Sequence, residues 1–282
     1  MTVTAVVSTY NRPRSLLFSL LSLSRQDWLP DEVVIADDGS GPETAEVVSR
    51  LQSDMPFPVV HAWQEDKGFR LAAVRNTGVN AASGDYLIFL DGDLLAGKAL
   101  ISVHMQQAVP GTFLIANTMY LDSERSDSLC EEDVRSGRFE LLCPRGEGRR
   151  LAKAHRKNLR HALLRRLHLC KAHKPSLTGG HFSLYRSDFE RVNGFDEDYV
   201  GWGQEDDDLG RRLMLAGVRA KSIVPFALSY HIHHPTTAAP WGAGANIALL
   251  SRKNVPAFCE NGLLKPGRRV ARGSKRSPQA SD

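Results

Sequence analysis

YLIFLDGD, residues 86–93, is five apolar residues in succession followed by two carboxylates with a glycine between them. An apolar run of that length reads as a buried strand, and its polar end marks where the chain leaves the sheet. The same grammar repeats upstream. Residues 3–8 are a short β-branched run, and residues 13–23 then carry apolar side chains at helical spacing. Residues 32–36 are a second apolar run, ending in Asp37, Asp38, Gly39 and Ser40. A helix follows over residues 42–51, with Pro42 near its first turn. Residues 59–62 read as a third strand and residues 71–82 as a helix. Strands alternating with helices predict an α/β fold: a mostly parallel sheet with helices on both faces. In such a fold ligands bind beyond the carboxyl ends of the strands.

Three of those ends carry polar clusters: Ser8-Thr9-Tyr10-Asn11, Asp37-Asp38-Gly39-Ser40 and Asp91-Gly92-Asp93. Taken singly, each is explained by the preference of Asp, Asn, Ser and Gly for turns and helix caps. Together they fall side by side. Asp91 and Asp93 repel each other, a cost that a divalent cation relieves. Mg²⁺ or Mn²⁺ held by few carboxylates completes its shell with phosphate oxygens, so the pair points to a nucleotide diphosphate.

Composition narrows the classes. The chain has 282 residues, 42% hydrophobic and 24% charged, with a formal charge of +4, which is ordinary for a globular protein. Cys130, Cys143, Cys170 and Cys259 form no CxxC pair, so neither a disulfide framework nor a zinc knuckle is expected and a reducing compartment fits. The first residues read as a strand with no export leader, and no run of about 18 apolar residues occurs. A soluble, cytoplasmic protein is expected, with membrane contact at most peripheral.

Four stretches resemble, in order, the inverting family 2 glycosyltransferases: VVSTYNRP (6–13), VIADDGS (34–40), DKGFRLAAVRNTGVNAASGDYLIFLDGD (66–93) and GGHFSLYRSDFERVNGFDEDYVGWGQEDDDLGRRL (179–213). The last is similar to the carboxyl-terminal half shared by β-1,4-galactosyltransferases and bacterial chondroitin-type polymerases. The resemblance implies the nucleotide-diphospho-sugar transferase (GT-A type) fold and transfer of a sugar from a UDP-sugar to a saccharide or glycolipid hydroxyl. Carried over by position, Thr9, Tyr10 and Arg12 contact the donor, and Asp38 holds the uracil or ribose. Arg75 and Asn76 approach the diphosphate. Asp91 and Asp93 are the metal motif, with Asp93 the direct ligand. His181 stands where relatives carry Asn, an alteration expected in the donor pocket. The implied setting is bacterial surface polysaccharide or lipopolysaccharide synthesis.

The second half supplies a base and a sugar-binding surface. Glu205, Asp206, Asp207 and Asp208 stand together before an apolar helix at 209–215. One or two acids suffice at a helix start, whereas four crowded together raise at least one carboxyl pKa towards the range of a useful general base. The resemblance makes Asp206 that base, has Glu205 and Asp207 bind acceptor hydroxyls, and makes Trp202 an aromatic face for the sugar. Gly201 and Gly203 indicate a shaped loop. Residues 220–230 read as one strand leading into His231-Ile232-His233-His234, and the resemblance has either His231 or His234 complete the metal shell. Imidazole ligation tilts the preference from Mg²⁺ towards Mn²⁺.

The expected organisation is one domain over residues 1–262. It comprises a nucleotide-sugar half (1–120), a variable basic insert (121–178) and an acceptor and metal half (179–262), followed by a disordered basic tail (263–282). Within the insert, residues 145–174 are dense in Arg, Lys and His, with Leu159, Leu163, Leu164 and Leu167 at helical spacing. Two readings stand, a surface helix lying on anionic lipid or gripping a phosphorylated glycolipid at the inner face of the membrane and a solvated helix packed by its leucines, and the resemblance, with its variable inserts here, adds an acceptor-specific lid. A nucleic-acid partner is not expected, because the acidic strand ends repel a phosphate backbone and no aromatic platform accompanies the basic stretch. A dinucleotide oxidoreductase lacks its third glycine at Gly39-Ser40-Gly41. A sugar-nucleotide nucleotidyltransferase, the alternative enzyme, leaves GWGQED and the late histidines unexplained.

Overall fold

The structure is a computed structural model and describes residues 1–167, 169, 177, 179–235 and 244–265. Strands β1 (Val3–Thr9), β2 (Glu32–Asp37), β3 (Val59–Trp63) and β4 (Tyr86–Asp91) alternate with helices α1 (Pro13–Leu23), α2 (Pro42–Asp54) and α3 (Leu71–Ala81). Then come β5 (Leu94–Ala96), α4 (Leu100–Gln107), β6 (Thr112–Ile115), β7 (Met119–Tyr120), α5 (Ser123–Ser128), α6 (Glu131–Ser136), α7 (Glu147–Arg166) and β8 (His181–Tyr185). The chain continues with α8 (Arg186–Arg191), α9 (Glu205–Leu215), β9 (Arg219–Ser222), β10 (Ser229–His231) and α10 (Ala245–Leu250).

The main sheet has the order β3-β2-β1-β4-β8-β6-β9, and β5-β10-β7 form a second, smaller sheet. β1 to β4 run parallel, while β8 lies antiparallel between β4 and β6. Side chains alternate between two cores. Val3, Ala5 and Val7 of β1 and Tyr86, Ile88 and Leu90 of β4 pack with α1 on one face. Val6, Leu87 and Phe89 pack with residues of α3, α8 and α9 on the other. Burial on both faces is why these strands read as continuous apolar runs. The register places Ser8 beside Asp91 and Thr9 beside Asp37, so the three polar strand ends meet as expected.

Three expectations change. Residues 220–230 form two strands, β9 and β10, in different sheets. Pro225 lies in the intervening turn, where the Phe226 and Ala227 N–H groups both bond to the Ile223 carbonyl, because proline cannot continue a ladder. Of the readings of the insert helix, packing by its leucine row is not what forms: α7 turns Leu151 inwards and holds Ser222 through His155 and Asn158, leaving Leu159, Leu163 and Leu167 more than half exposed and Leu164 half-buried. Leu263 and Leu264 donate their N–H groups to Asn193, tying down the chain where the tail was expected to begin. Cys170 and residues 266–282 lie outside the described residues. No described helix is long and apolar enough to cross a membrane.

His181 lies in the core, not in a donor pocket. Its Nε2 meets His104 Nε2 at 2.9 Å and its Nδ1 meets Ser229 Oγ at 2.9 Å, while His104 Nδ1 reaches Ser183 Oγ at 2.7 Å. Tyr86 and Thr118 extend the chain through the two serines. Burial holds both imidazoles neutral, pushing His104 well below the usual histidine range and His181 down to about 3. The unfolded chain takes up protons near pH 6.5 and the folded chain does not, so stability is complete above that pH and falls as the pH drops. His181 alone should cost on the order of 2 kcal/mol between pH 7 and pH 5. Urea denaturation across that range should show a shallower pH slope for His181→Asn than for the parent chain; parallel slopes would contradict the assignment.

Candidate active site and metal centre

The site is built where β4 ends. Asp91 accepts from Ser8 Oγ at 2.9 Å and from Arg75 Nη2 at 2.9 Å. Arg75, on α3, is 2% exposed; its Nη1 lies 3.2 Å from Glu205 Oε1 and its guanidinium stacks 5.3 Å from the Phe195 ring. One buried cation therefore joins a strand end of the first half to the start of α9 in the second. The Gly179-Gly180 step makes this approach fit: a Cβ on Gly180 would sit 2.4 Å from Asp91 Oδ2. The Gly179 N–H donates to Asp206 Oδ2 at 2.8 Å, and the Asp207 N–H to Asp206 Oδ1 at 2.7 Å, which fixes the Asp206 carboxylate.

The four acids at the start of α9 divide. Asp208 is fully buried and pairs with Arg212 at 2.6 Å, locking the helix to the backbone of Val192 and Gly194. Burial is the largest cause raising Glu205, followed by the charge of Asp206, with Arg75 opposing. Asp206 is raised by burial against the N–H groups it accepts. The Glu205–Asp206 pair thus holds a proton above the ordinary carboxylate range. Glu205 Oε2 is buried without a hydrogen-bond partner. Trp202, half exposed, stands on a loop in which Gly201, Gly203 and Gln204 all have positive φ.

Beside this lies a second cluster. Asp93 Oδ2 is 3.0 Å from His234 Nε2, and Asp93 Oδ1 is 3.7 Å from His231 Nε2. One ligand atom from each of the three residues lies within 4.8 Å of the others. The smaller sheet creates the arrangement: His231 pairs with Leu94 and Tyr120, and the Ile232 N–H binds the Asp93 carbonyl at 3.0 Å. Asp93 Oδ1 is buried with no hydrogen-bond partner, so a carboxylate and two imidazoles converge around an unsatisfied oxygen, a donor set that fits a divalent transition metal. Burial alone would raise Asp93, but the His234 hydrogen bond and the charges of His231, His234 and Arg12 outweigh it and hold the carboxyl low. His234 is raised by its bond to Asp93.

The other predicted residues are placed as follows. Asp38 is buried and raised by that burial; it accepts from Gln64 Nε2 at 2.6 Å and from the Arg70 N–H at 2.8 Å. Tyr10 is exposed, with its hydroxyl 2.9 Å from Asp66. Thr9 Oγ1 is buried and unpartnered, and Arg12 is close enough to act on Asp93. Asn76 departs from expectation. It is 1% exposed, its Nδ2 donates to the Phe195 carbonyl and to Glu197, and its Oδ1 accepts from the Phe195 N–H. This is an internal clamp with no polar atom left for a diphosphate. Arg75 is likewise enclosed, its charge acting through Asp91 and Glu205. Ser8, read from the sequence only as part of a polar strand end, proves to be the residue of that cluster that bonds Asp91. Sequence reading missed Tyr120, whose ring lies 5.2 Å from that of His231.

The parallel sheet, with its polar strand ends and the carboxylate–histidine cluster beside them, has the architecture of the GT-A type fold. Residues 4–128 match the family model "Glycosyl transferase family 2", and residues 161–235 match "N-terminal domain of galactosyltransferase". Over the first of these segments the chain is similar to the family 2 glycosyltransferases. It is 29% identical over 270 residues to chondroitin synthase of Escherichia coli, covering 90% of this chain and 38% of that protein. It is 34% identical over 227 residues to validoxylamine A glucosyltransferase of Streptomyces hygroscopicus subsp. limoneus, covering 77% and 48%. The chain therefore spans less than half the length of these relatives. Among solved structures it resembles the mannosyltransferase PcManGT of Pyrobaculum calidifontis, in complex with GDP-Man and Mn²⁺: TM-score 0.56, 22% identity, 82% of this chain and 56% of that one. It also resembles S. aureus TarS 1-349 in complex with UDP-GlcNAc: TM-score 0.55, 17% identity, 84% and 60%. Both likenesses concern the fold.

Two outcomes follow from this geometry. Arg75→Met leaves two inward carboxylates without their cation, and chemical denaturation should show a loss of about 3 kcal/mol; a loss under about 1 kcal/mol would remove Arg75 from its central place. Metal must displace the proton that Asp93 favours on His234, so calorimetric Mn²⁺ affinity should rise from pH 6 to pH 8 and fall at least about tenfold in Asp93→Asn. Affinity indifferent to both changes would place the metal elsewhere.

Proposed function

We propose that this chain is a metal-dependent, inverting glycosyltransferase that moves a sugar from a UDP-sugar to a hydroxyl of a saccharide or glycolipid acceptor. The observation that carries this reading is that Arg75 bridges Asp91 and Glu205 beside the cluster of Asp93, His231 and His234. Carboxylates from a strand end and from a helix start are thereby joined through one guanidinium, which supports reading them as the donor and acceptor sides of one site. The names of the chondroitin synthase and glucosyltransferase relatives support a saccharide or sugar-like acceptor.

In this reading Thr9, Tyr10, Arg12 and Asp38 line the donor side, with Asp38 the residue for the uracil or ribose. Glu205 and Asp207 hold acceptor hydroxyls, Glu205 through its free Oε2, and Trp202 offers the sugar a ring face. Asp206, fixed by two backbone N–H groups, takes the proton of the acceptor hydroxyl as that oxygen attacks the anomeric carbon. The carbon–oxygen bond to the diphosphate breaks on the opposite side, UDP leaves, and the configuration inverts. Asp93, His231 and His234 would hold Mn²⁺ in preference to Mg²⁺, and the bound ion supplies Lewis-acid neutralisation of the diphosphate. The setting is bacterial surface polysaccharide or lipopolysaccharide synthesis in the cytoplasm. With a glycolipid acceptor the protein would sit at the inner face of the cytoplasmic membrane.

A panel of UDP-sugars with Mn²⁺ tests the reading. One of them should raise the melting temperature and support transfer to a saccharide or lipid-linked acceptor. Asp206→Asn should cut transfer by about 10²–10⁴-fold while donor-induced stabilisation persists. An active Asp206→Asn would take the base away from that residue, and no stabilisation by any UDP-sugar would count against the whole reading.

A further inference from the structure

Helix α7 is anchored at the metal site and faces outwards. At its first turn Glu147 accepts from the Tyr120 N–H at 2.9 Å, and the Arg150 guanidinium lies 5.0 Å over the Tyr120 ring, which itself borders His231. Its inward face is short: Leu151 is buried, and His155 and Asn158 bond to Ser222. Beyond those contacts the same i, i+4 row continues as Leu159, Leu163 and Leu167, which turn progressively away from the protein and are 51–57% exposed. Arg149, Lys153, Arg156 and Arg160, all exposed, flank that row. Phe226, 60% exposed, adds to it from the β9–β10 turn, its ring 5.9 Å from that of His155. The only acid in α7 is Glu147, which is paired with Arg150.

Leucines in a row on solvent are costly unless something apolar covers them. A nucleic-acid backbone would satisfy the arginines and leave the leucines bare. An anionic bilayer satisfies both: the leucines enter the headgroup–acyl boundary while the flanking cations meet lipid phosphates. A helix of 20 residues is about 30 Å long, enough to lie along such a surface with its first turn still beside His231.

We propose that the outward face of α7 is a membrane-docking surface for anionic phospholipid, and that docking presents the site to an acceptor held in the same bilayer. The docking stands on α7 alone; the presentation of an acceptor rests on the transferase reading above. The test is sedimentation of the full chain with vesicles of phosphatidylcholine, with or without phosphatidylglycerol. Binding should require phosphatidylglycerol and weaken with salt. It should drop about tenfold or more both in Leu159→Gln/Leu163→Gln/Leu167→Gln and in Arg156→Glu/Arg160→Glu. Unchanged melting temperatures and unchanged stabilisation by UDP-sugar with Mn²⁺ should show that both variants are folded. Equal vesicle binding by parent and leucine variant would overturn the proposal, as would retention on duplex DNA with none on vesicles. Vesicle binding as expected, with no UDP-sugar stabilisation of the parent chain, would defeat the transferase reading and leave the docking surface supported.

Discussion

The site depends on a guanidinium kept out of water. Arg75 is enclosed and shared between Asp91 at the end of β4 and Glu205 at the start of α9. A buried arginine is tolerable only when its hydrogen-bonding groups and its charge are answered. The planar fork suits this task because it reaches two carboxylates at once in fixed geometry, where a lysine would offer a single point charge. The Phe195 ring beneath it and the side-chain-free Gly179-Gly180 step above define the remaining walls. Two parts of the chain far apart in sequence are thus brought into register by electrostatics instead of by a shared strand.

The cluster that could hold a metal is built by a separate device. The three short strands β5, β10 and β7 bury Leu94, Leu95, Ala96, Met119 and Tyr230 in the core and so hold two imidazoles around Asp93. The hydrogen bond from Ile232 to the Asp93 carbonyl sets that register. Ser229, at the head of β10, is held from the core by His181, so the buried histidine pair and the strand bearing His231 belong to one hydrogen-bonded chain. Rigid support behind a ligand shell matters because misplaced ligands lose metal affinity quickly.

The legible part of this architecture was local. Apolar runs ending in polar clusters announced β1, β2 and β4 and the convergence of Ser8, Asp37 and Asp91, because a parallel sheet puts strand ends on one edge. The roles expected of Asp206, His231 and His234 came from resemblance, which left the two histidines as alternatives, and the structure gathers both beside Asp93. What stayed hidden depends on contacts across long separations. Nothing near Asn76 reveals that its amide closes on Phe195, 119 residues away, and nothing near His181 reveals His104. The break at Pro225 was visible and was read through, since apolar neighbours on both sides imitate a single strand.

The insert joins these levels. Its leucine spacing marked α7 as amphipathic, but amphipathicity does not say which side the apolar stripe faces. Here the inward anchor is one leucine and two polar contacts to Ser222, while the longer leucine row points away from the protein. A helix packed by its stripe would reverse that arrangement. Because the first turn of α7 is fastened to Tyr120 beside His231, any surface that covers the leucine row also sets how the metal centre is oriented towards it. If that surface is a bilayer, attachment and the orientation of the site would both be set by this one helix, while Arg75 and its two carboxylates hold the site itself together.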